Sequence, residues 1–196
     1  MPAPRIILGS TSRYRRELMT RLRLPFEVVA PEVDESPLPG EAPVALARRL
    51  ALAKAQAVSR QHPDAVVIGS DQVCDLEGQS IGKPGNHERA TAQLQRLRGR
   101  SALFHTAVAV VCAQTGFQAE DLASVSVRFR MLGDAEIERY LRLDEPYDCA
   151  GSGRCEALGI TLLEAIDSDD PTALVGLPLI RTARMLRAAG VDPLQP

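Results

Sequence analysis

The segment GSTSRYRR at residues 9–16 combines residue types that bind phosphate groups. It places Ser10, Ser12 and Arg15 where an apolar strand ends and a helix is expected to begin. Free backbone N–H groups at a helix start, together with hydroxyl and guanidinium groups, are a typical binding arrangement for phosphate oxygens. The same residues also fit an exposed basic helix capped by Ser12, so the segment alone leaves both interpretations open.

Acidic side chains follow two other expected strands. Asp34 and Glu35 lie in a Pro-rich loop, and Asp71 lies near the end of the apolar strand that contains VVIGS. Ligands of open α/β sheets bind in the crevice beyond the strand ends, where such carboxylates are exposed to them. Carboxylates from two loops can share a Mg²⁺ ion whose other positions are filled by phosphate and water. For Asp34 and Glu35, a solvated loop is the alternative interpretation.

Arginine supplies all but two of the 23 basic residues, and the two exceptions are Lys54 and Lys83. A compact ammonium group makes contacts that the planar guanidinium fork does not make. Lys83 lies between a glycine and a proline after an expected hairpin, from which it can reach Asp71 or a phosphate. Lys54 lies among small residues in ALAKAQA, where it either finds a buried partner or extends to the surface.

Strand and helix patterns alternate along the chain. Short apolar runs predict strands at residues 5–9, 26–30, 65–74, 101–113, 123–131 and 159–166, with a hairpin turn at DLEGQS. Apolar periodicity and capping residues predict helices at residues 13–24, 43–61, 86–99, 134–143 and 177–189. This order indicates an α/β protein with a mixed sheet.

Composition excludes several classes of function. A chain of 196 residues with 45% hydrophobic residues forms one domain, or two small lobes that share a core. A net charge of -2 does not support a role in coating nucleic acid. The longest apolar run, residues 106–113, is too short for a membrane span, and we expect a cytoplasmic protein. The cysteines show no C-x-x-C spacing and are expected to be reduced thiols: Cys74, Cys112, Cys149 and Cys155.

Along essentially its whole length the sequence resembles the Maf family of nucleotide pyrophosphatases. The matching strings, in family order, are LGSTSRYRREL, APEVDESP, ALAKA, VIGSDQV, GKP, AGSGRCEALGITL and VGLPL. The resemblance implies one domain over residues 1–196, with a mixed twisted sheet, flanking helices and a central cleft between two lobes. This architecture is shared with inosine triphosphatases.

The resemblance also implies roles for individual residues. Asp71 matches the proton acceptor of the family. The positions that match phosphate-handling residues are Ser10, Arg15, Lys54 and Lys83. Asp34 and Glu35 match an acidic pair that, with Asp71, is expected to hold a divalent cation, Mg²⁺ or Mn²⁺; which of the two meets the metal is left open. Tyr14, Gln72 and Glu156 match positions associated with the choice of substrate.

Three features resemble the subgroup of the family that acts on 7-methyl-GTP: the form GSDQVC, Tyr14, and the segment Cys149 to Ser152. The subgroup that acts on dTTP and UTP has different residues at these positions. A methylated guanine is positively charged, which suits an aromatic ring and a carboxylate. Guanine N–H groups need acceptors such as Glu156, whereas Gln72 can donate or accept.

The resemblance therefore implies hydrolysis of a nucleoside triphosphate, expected to be 7-methyl-GTP, to the monophosphate and pyrophosphate. Such an activity prevents modified nucleotides from entering nucleic acids. Two alternatives stay open at this point. One is a pyrophosphatase with broader specificity, and the other is a nucleotide-binding regulator of cell division without turnover. We expect a small-molecule nucleotide as the partner, neither nucleic acid nor membrane, and allow for a homodimer.

Overall fold

The computed structural model describes residues 4–195, in which seven strands form one mixed sheet and five α-helices pack on it. The strands are β1 Ile6–Gly9, β2 Glu27–Val29, β3 Val66–Leu76, β4 Gln79–Ile81, β5 Ser101–Cys112, β6 Phe117–Phe129 and β7 Leu163–Asp167. The helices are α1 Arg13–Thr20, α2 Pro43–Gln61, α3 His87–Leu97, α4 Asp134–Asp144 and α5 Leu179–Ala188. The predicted α/β class with a mixed sheet is confirmed.

The sheet opens beside the middle of β3. The strand order is β2-β1-β3-β5-β6-β7, and only the contacts of β1 with β2 and β3 are parallel. On one edge of β3, β1 pairs with residues 66–69 and β4 pairs with residues 74–76. Within the described part of the chain, residues 70–73 therefore have a strand neighbour on the β5 side alone. This opening places Asp71 between the end of β1 and the end of β4.

Helix α2 packs unusually close to β3. A Cβ atom at Gly69 would clash with the carbonyl oxygen of Ala51 and would lie 2.5 Å from the amide nitrogen of Ala55. Only glycine permits this approach, because the next smallest side chain would collide with the helix backbone. Lys54 lies on the same stretch of α2, so the close approach brings its ammonium group to β3 beyond Gly69.

The opposite face of the sheet carries two separate apolar clusters. Helices α1 and α5 cover one of them with Leu18, Met19 and Leu186. Helices α3 and α4 cover the other with Leu94 and Ile137. The separation fits the predicted arrangement of two lobes around a cleft, although the division into lobes stays a prediction. None of the described helices is long and apolar enough to cross a membrane.

Three predicted boundaries differ from the structure by more than two residues. Helix α1 ends at Thr20 rather than at residue 24, because Arg23 has a left-handed backbone with φ of 54°. Strand β6 begins six residues earlier than predicted, at Phe117, because it pairs with β5 along its full length. The strand predicted at residues 159–166 starts as a 3₁₀ helix, Leu158–Leu162, in which the hydroxyl group of Thr161 donates to the carbonyl of Leu158 at 2.8 Å.

Candidate active site

A cleft of about 670 Å³ lies at the opening beside β3. The end of β1 contributes Ser10 to its wall, β3 contributes Asp71 and Gln72, and the chain that leaves β4 contributes Lys83. These residues come from three separate stretches of the sequence. They meet in the cleft because β1 and β4 approach the same edge of β3 from opposite directions.

Lys54 joins two carboxylates at the floor of this cleft. Its Nζ atom lies 2.7 Å from Oδ1 of Asp71 and 2.8 Å from Oε1 of Glu35. Lys54 is 4% exposed and Asp71 is 7% exposed, so each charge requires a partner. Burial alone would raise the pKa of Glu35, but the hydrogen bond and charge of Lys54, with the charges of Lys83 and Arg15, hold that pKa below its ordinary value. Glu35 is therefore ionised at neutral pH.

The start of α1 forms the predicted arrangement of hydroxyl and guanidinium groups. Ser12 caps the helix, and its Oγ accepts a hydrogen bond from the amide of Arg15 at 3.4 Å. The Oγ atom of Ser10 accepts from the amide of Ser12 at 3.1 Å and from Nη1 of Arg15 at 3.5 Å. All three residues line the cleft.

A distant loop fixes the side chain of Arg15. Its Nε donates at 2.8 Å to the carbonyl of Gly176, which also accepts from the hydroxyl group of Ser70 at 3.0 Å. Gly176 has a φ of 122°, a backbone conformation that favours glycine. Burial lowers the pKa of Arg15, and the charges of Asp71 and Glu35 counteract that effect. Nε and Nη1 of Arg15 are thus used for positioning, whereas Nη2 forms no hydrogen bond with another described residue.

Lys83 lies at the mouth of the cleft, where it is exposed. It forms no ion pair with any residue among 4–195. A free ammonium group beside a guanidinium group and a helix start attracts phosphate oxygens. Arg15, Lys54 and Lys83 thus bring three cationic side chains to the wall of one cleft.

Gln72 has a fixed orientation. Its Nε2 donates to the carbonyl oxygens of Ala173 and Leu174, both at 3.0 Å, and lies 2.9 Å from Oγ1 of Thr106. Carbonyl oxygens can only accept, so the amide nitrogen must face them and Oε1 must face the other way. Gln72 therefore offers a hydrogen-bond acceptor to the cleft.

Tyr14 and Glu156 line the same cleft as Gln72. The hydroxyl group of Tyr14 lies 3.4 Å from Oδ1 of Asp148 and accepts from Nη2 of Arg13 at 2.6 Å. The guanidinium carbon of Arg13 lies 4.7 Å from the centre of the Tyr14 ring. The three predicted specificity residues, Tyr14, Gln72 and Glu156, thus all line one cleft.

The four cysteines are free thiols, as expected. Cys149 lies in the cleft wall, with its sulfur 3.7 Å from the hydroxyl group of Tyr14. Burial raises the pKa of Cys149, and that of Cys155, to about 12. Both thiols are therefore protonated at neutral pH and are weak nucleophiles.

The structure separates the predicted acidic pair. Glu35 lies in the cleft, but Asp34 is exposed outside it, because Oδ1 of Asp34 closes a turn by accepting from the amide of Ser36 at 2.9 Å. Among residues 4–195, no three His, Cys, Asp or Glu side chains form a group that could hold a metal ion. Of the predicted trio of Asp34, Glu35 and Asp71, the structure brings Glu35 and Asp71 together in the cleft and leaves Asp34 outside it. Two carboxylates still fit Mg²⁺, which binds through one or two of them together with substrate phosphates and water.

Three groups in the site escaped the sequence analysis. Asp148 immediately precedes the segment Cys149 to Ser152, which resembles the subgroup that acts on 7-methyl-GTP, and that proximity was the only signal for it. The carbonyl of Gly176 and the hydroxyl group of Ser70 act through hydrogen bonds between distant segments. No local pattern in the sequence identifies such contacts.

Comparison with known proteins places this geometry in a family. Residues 5–189 match the family described as Maf-like protein. The chain is 66% identical over 190 residues to the 7-methyl-GTP pyrophosphatase of Albidiferax ferrireducens, covering 97% of this chain and 96% of that protein. It is 67% identical over 186 residues to the protein of the same name from Polaromonas sp., covering 95% of this chain and 85% of that protein.

A solved structure, the Ham1 protein of Staphylococcus aureus, is 16% identical and superimposes with a TM-score of 0.46 over 64% of this chain and 71% of that chain. The family match, by contrast, covers nearly the whole chain, and both relatives share about two thirds of their aligned residues with it. This chain belongs to the Maf family.

Proposed function

We propose that this protein hydrolyses 7-methyl-GTP to 7-methyl-GMP and pyrophosphate. The observation that carries the proposal is one cleft lined by two chemically different sets of residues. One set combines Arg15, Lys54 and Lys83 with the carboxylates of Glu35 and Asp71, which suits a polyphosphate and a divalent cation. The other set combines Tyr14 with Glu156, which suits a cationic base. The relatives named 7-methyl-GTP pyrophosphatase share 66% and 67% of their aligned residues with this chain.

Asp71 is proposed to accept the proton of the attacking water. Its Oδ1 is bound to Lys54, and its Oδ2 forms no hydrogen bond with another described residue. The ammonium group holds the carboxylate in one orientation, and the second oxygen is left to position and deprotonate a water molecule. Attack of that water on the α-phosphorus forms a P–O bond and breaks the bond from the α-phosphorus to the α–β bridging oxygen, which leaves with the pyrophosphate. The products are 7-methyl-GMP, pyrophosphate and one proton.

The cationic side chains are proposed to stabilise the charge that develops on the leaving pyrophosphate. Arg15 is held by the carbonyl of Gly176, whereas Lys83 is exposed in the wall of the cleft and forms no ion pair with another described residue. A positive group that is already held in place, as Arg15 is, acts most strongly in the transition state, because little reorganisation is needed when the charge appears.

Asp71 and Glu35 would hold a divalent cation. Mg²⁺ or Mn²⁺ bound there would add positive charge next to the phosphate oxygens. This assignment follows from the donor set, two carboxylates at one end of the cleft with cationic neighbours. The identity of the metal, the cytoplasmic location and the homodimer stay predictions from the sequence.

The test is hydrolysis of 7-methyl-GTP by the purified protein in water labelled with heavy oxygen. We expect 7-methyl-GMP and pyrophosphate in equal amounts, with the label in 7-methyl-GMP, because water attacks the α-phosphorus. Label in the pyrophosphate would place the attack on the β-phosphorus instead. A protein that binds nucleotides without releasing any pyrophosphate would support a regulator and overturn the proposal.

A further inference from the structure

Asp148 is an acidic residue of the cleft wall that the mechanism above does not use. It is exposed, and its Oδ1 lies 3.4 Å from both the hydroxyl group of Tyr14 and the sulfur of Cys149. Its Oδ2 forms no hydrogen bond with another residue in the described range 4–195. One oxygen of the carboxylate therefore orients the tyrosine, and the other is available to a ligand.

The charged side chains around Tyr14 do not balance one another. Arg154 is neutralised, because its Nη2 lies 2.6 Å from Oδ1 of Asp144. Arg13, Asp148 and Glu156 all line the cleft, and all three are exposed, so solvent screens each of these charges. None of the three forms an ion pair with another described residue. Two carboxylates therefore stand against one guanidinium group, and the balance around Tyr14 is negative.

The face of Tyr14 already holds a cation in this structure. The guanidinium carbon of Arg13 lies 4.7 Å from the ring centre, within the range of a cation–π interaction. A neutral base gains only stacking from such a ring, whereas a cationic base also gains electrostatic attraction. Asp148 lies at the hydroxyl edge of the same ring, so its negative charge adds to that attraction.

We propose that Asp148 determines specificity by recognising the positive charge of an N7-alkylated purine, and so favours it over the neutral purine. The inference rests on the proposed function and extends it to a residue outside the predicted specificity trio. Glu156 suits the N–H groups that both forms of guanine share. Asp148 is different, because the charge it recognises is present in one form only.

The test compares kcat/KM for 7-methyl-GTP and GTP, which differ by one methyl group and one charge. Asp148→Asn should lower the ratio of the two values about three- to five-fold, the size of an exposed ion pair. Asp148→Glu, which keeps the charge, should restore most of the ratio. Asp167→Asn removes a carboxylate from the exposed edge strand β7, outside the cleft, and should leave the ratio as in the wild type.

A second readout separates charge from structure. Added salt screens exposed charges, so it should lower the ratio for the wild type and change it much less for Asp148→Asn. Equal losses of both kcat/KM values in Asp148→Asn would overturn the inference and assign Asp148 to the support of Tyr14.

If the wild type releases no pyrophosphate, the proposed function fails first. Calorimetric binding of 7-methyl-GMP and GMP to the same variants then still tests Asp148, and an unchanged ratio of affinities overturns it.

Discussion

Lys54 of α2 and Asp71 of β3 are joined by a 2.7 Å contact between Nζ and Oδ1 at the point where the sheet opens. Both residues are buried, and the contact depends on the close packing of α2 against Gly69. A buried ammonium group and a buried carboxylate stabilise the fold only when they are paired. The pair therefore anchors the cleft floor and fixes which oxygen of Asp71 faces a ligand.

Asp71→Asn should abolish turnover and leave the fold intact, because the buried Lys54 keeps its ion pair with Glu35. The amide has the shape of the carboxylate, but it cannot accept a proton, and loss of a general base typically costs about 10²–10⁴-fold in rate. Pyrophosphate release measures the loss, and circular dichroism checks the fold. Full activity would remove Asp71 from the mechanism. If nucleotide binding disappeared together with activity, Asp71 would be reassigned to binding the metal.

Lys83→Ala and Arg15→Ala should each slow catalysis by about 2–4 kcal/mol in the barrier, as expected for lost charged contacts to a transition state. The effect should be similar for every nucleotide base, because the phosphates are common to all of them. The measurement is kcat/KM for 7-methyl-GTP, GTP and UTP in each variant. A loss of kcat/KM that depends on the base would show that Lys83 and Arg15 contact the base rather than the phosphates.

Much of the site could be predicted because its residues lie at element boundaries with clear local signals. The cap at Ser12, the strand that holds Asp71 and the helix that holds Lys54 all lie where the sequence indicates. The bounds of α2 agree with the prediction at both ends. Local propensity and apolar periodicity suffice for such features.

The rest depends on contacts between distant segments. The opening beside β3 exists because β1 and β4 pair with different parts of one edge, and no local pattern specifies that register. The orientation of Gln72 is set by two carbonyls about a hundred residues further along the chain. Asp34 and Glu35 are neighbours in sequence, yet one hydrogen bond to the amide of Ser36 turns Asp34 away.

Glu41 should make the protein sensitive to acid. The hydrogen bond from Arg49, with another from the amide of Leu38, lowers the pKa of Glu41 from 4.5 to about 2. Glu41 therefore binds a proton more tightly in the unfolded chain than in the folded protein. The full stabilisation of the fold by its ionised carboxylate is present above about pH 4.5. It is lost as the pH falls from there toward the pKa in the folded state, about 2.

Urea unfolding at a series of values between about pH 7 and about pH 2 measures this effect as a change in the free energy of unfolding. Glu41→Gln should be less stable at neutral pH and should lose less stability on acidification than the wild type. Glu17→Gln, which removes an exposed carboxylate with no ion pair to a described residue, is the matched control and should follow the wild type. Parallel curves for Glu41→Gln and the wild type would show that this pair does not govern acid stability.

Tyr14→Ala and Glu156→Ala should change the choice of nucleotide more than they change hydrolysis itself. Loss of the Tyr14 ring forfeits stacking with a cationic base, worth about 0.5–2 kcal/mol. Loss of Glu156 should cost more for guanine nucleotides, because donors of the base are left without an acceptor. Neither side chain belongs to the cationic group assigned to the phosphates, so slow hydrolysis of poor substrates should be less affected.

The measurement is kcat/KM for 7-methyl-GTP, GTP, dTTP, UTP and CTP in the wild type and in both variants. We expect the largest losses for 7-methyl-GTP in Tyr14→Ala and for both guanine nucleotides in Glu156→Ala, with smaller losses for the pyrimidine nucleotides. A wild-type preference for dTTP or UTP would contradict the proposed substrate. Equal losses across all five nucleotides would show that Tyr14 and Glu156 shape the cleft without recognising the base, because a residue that contacts the base must distinguish between bases.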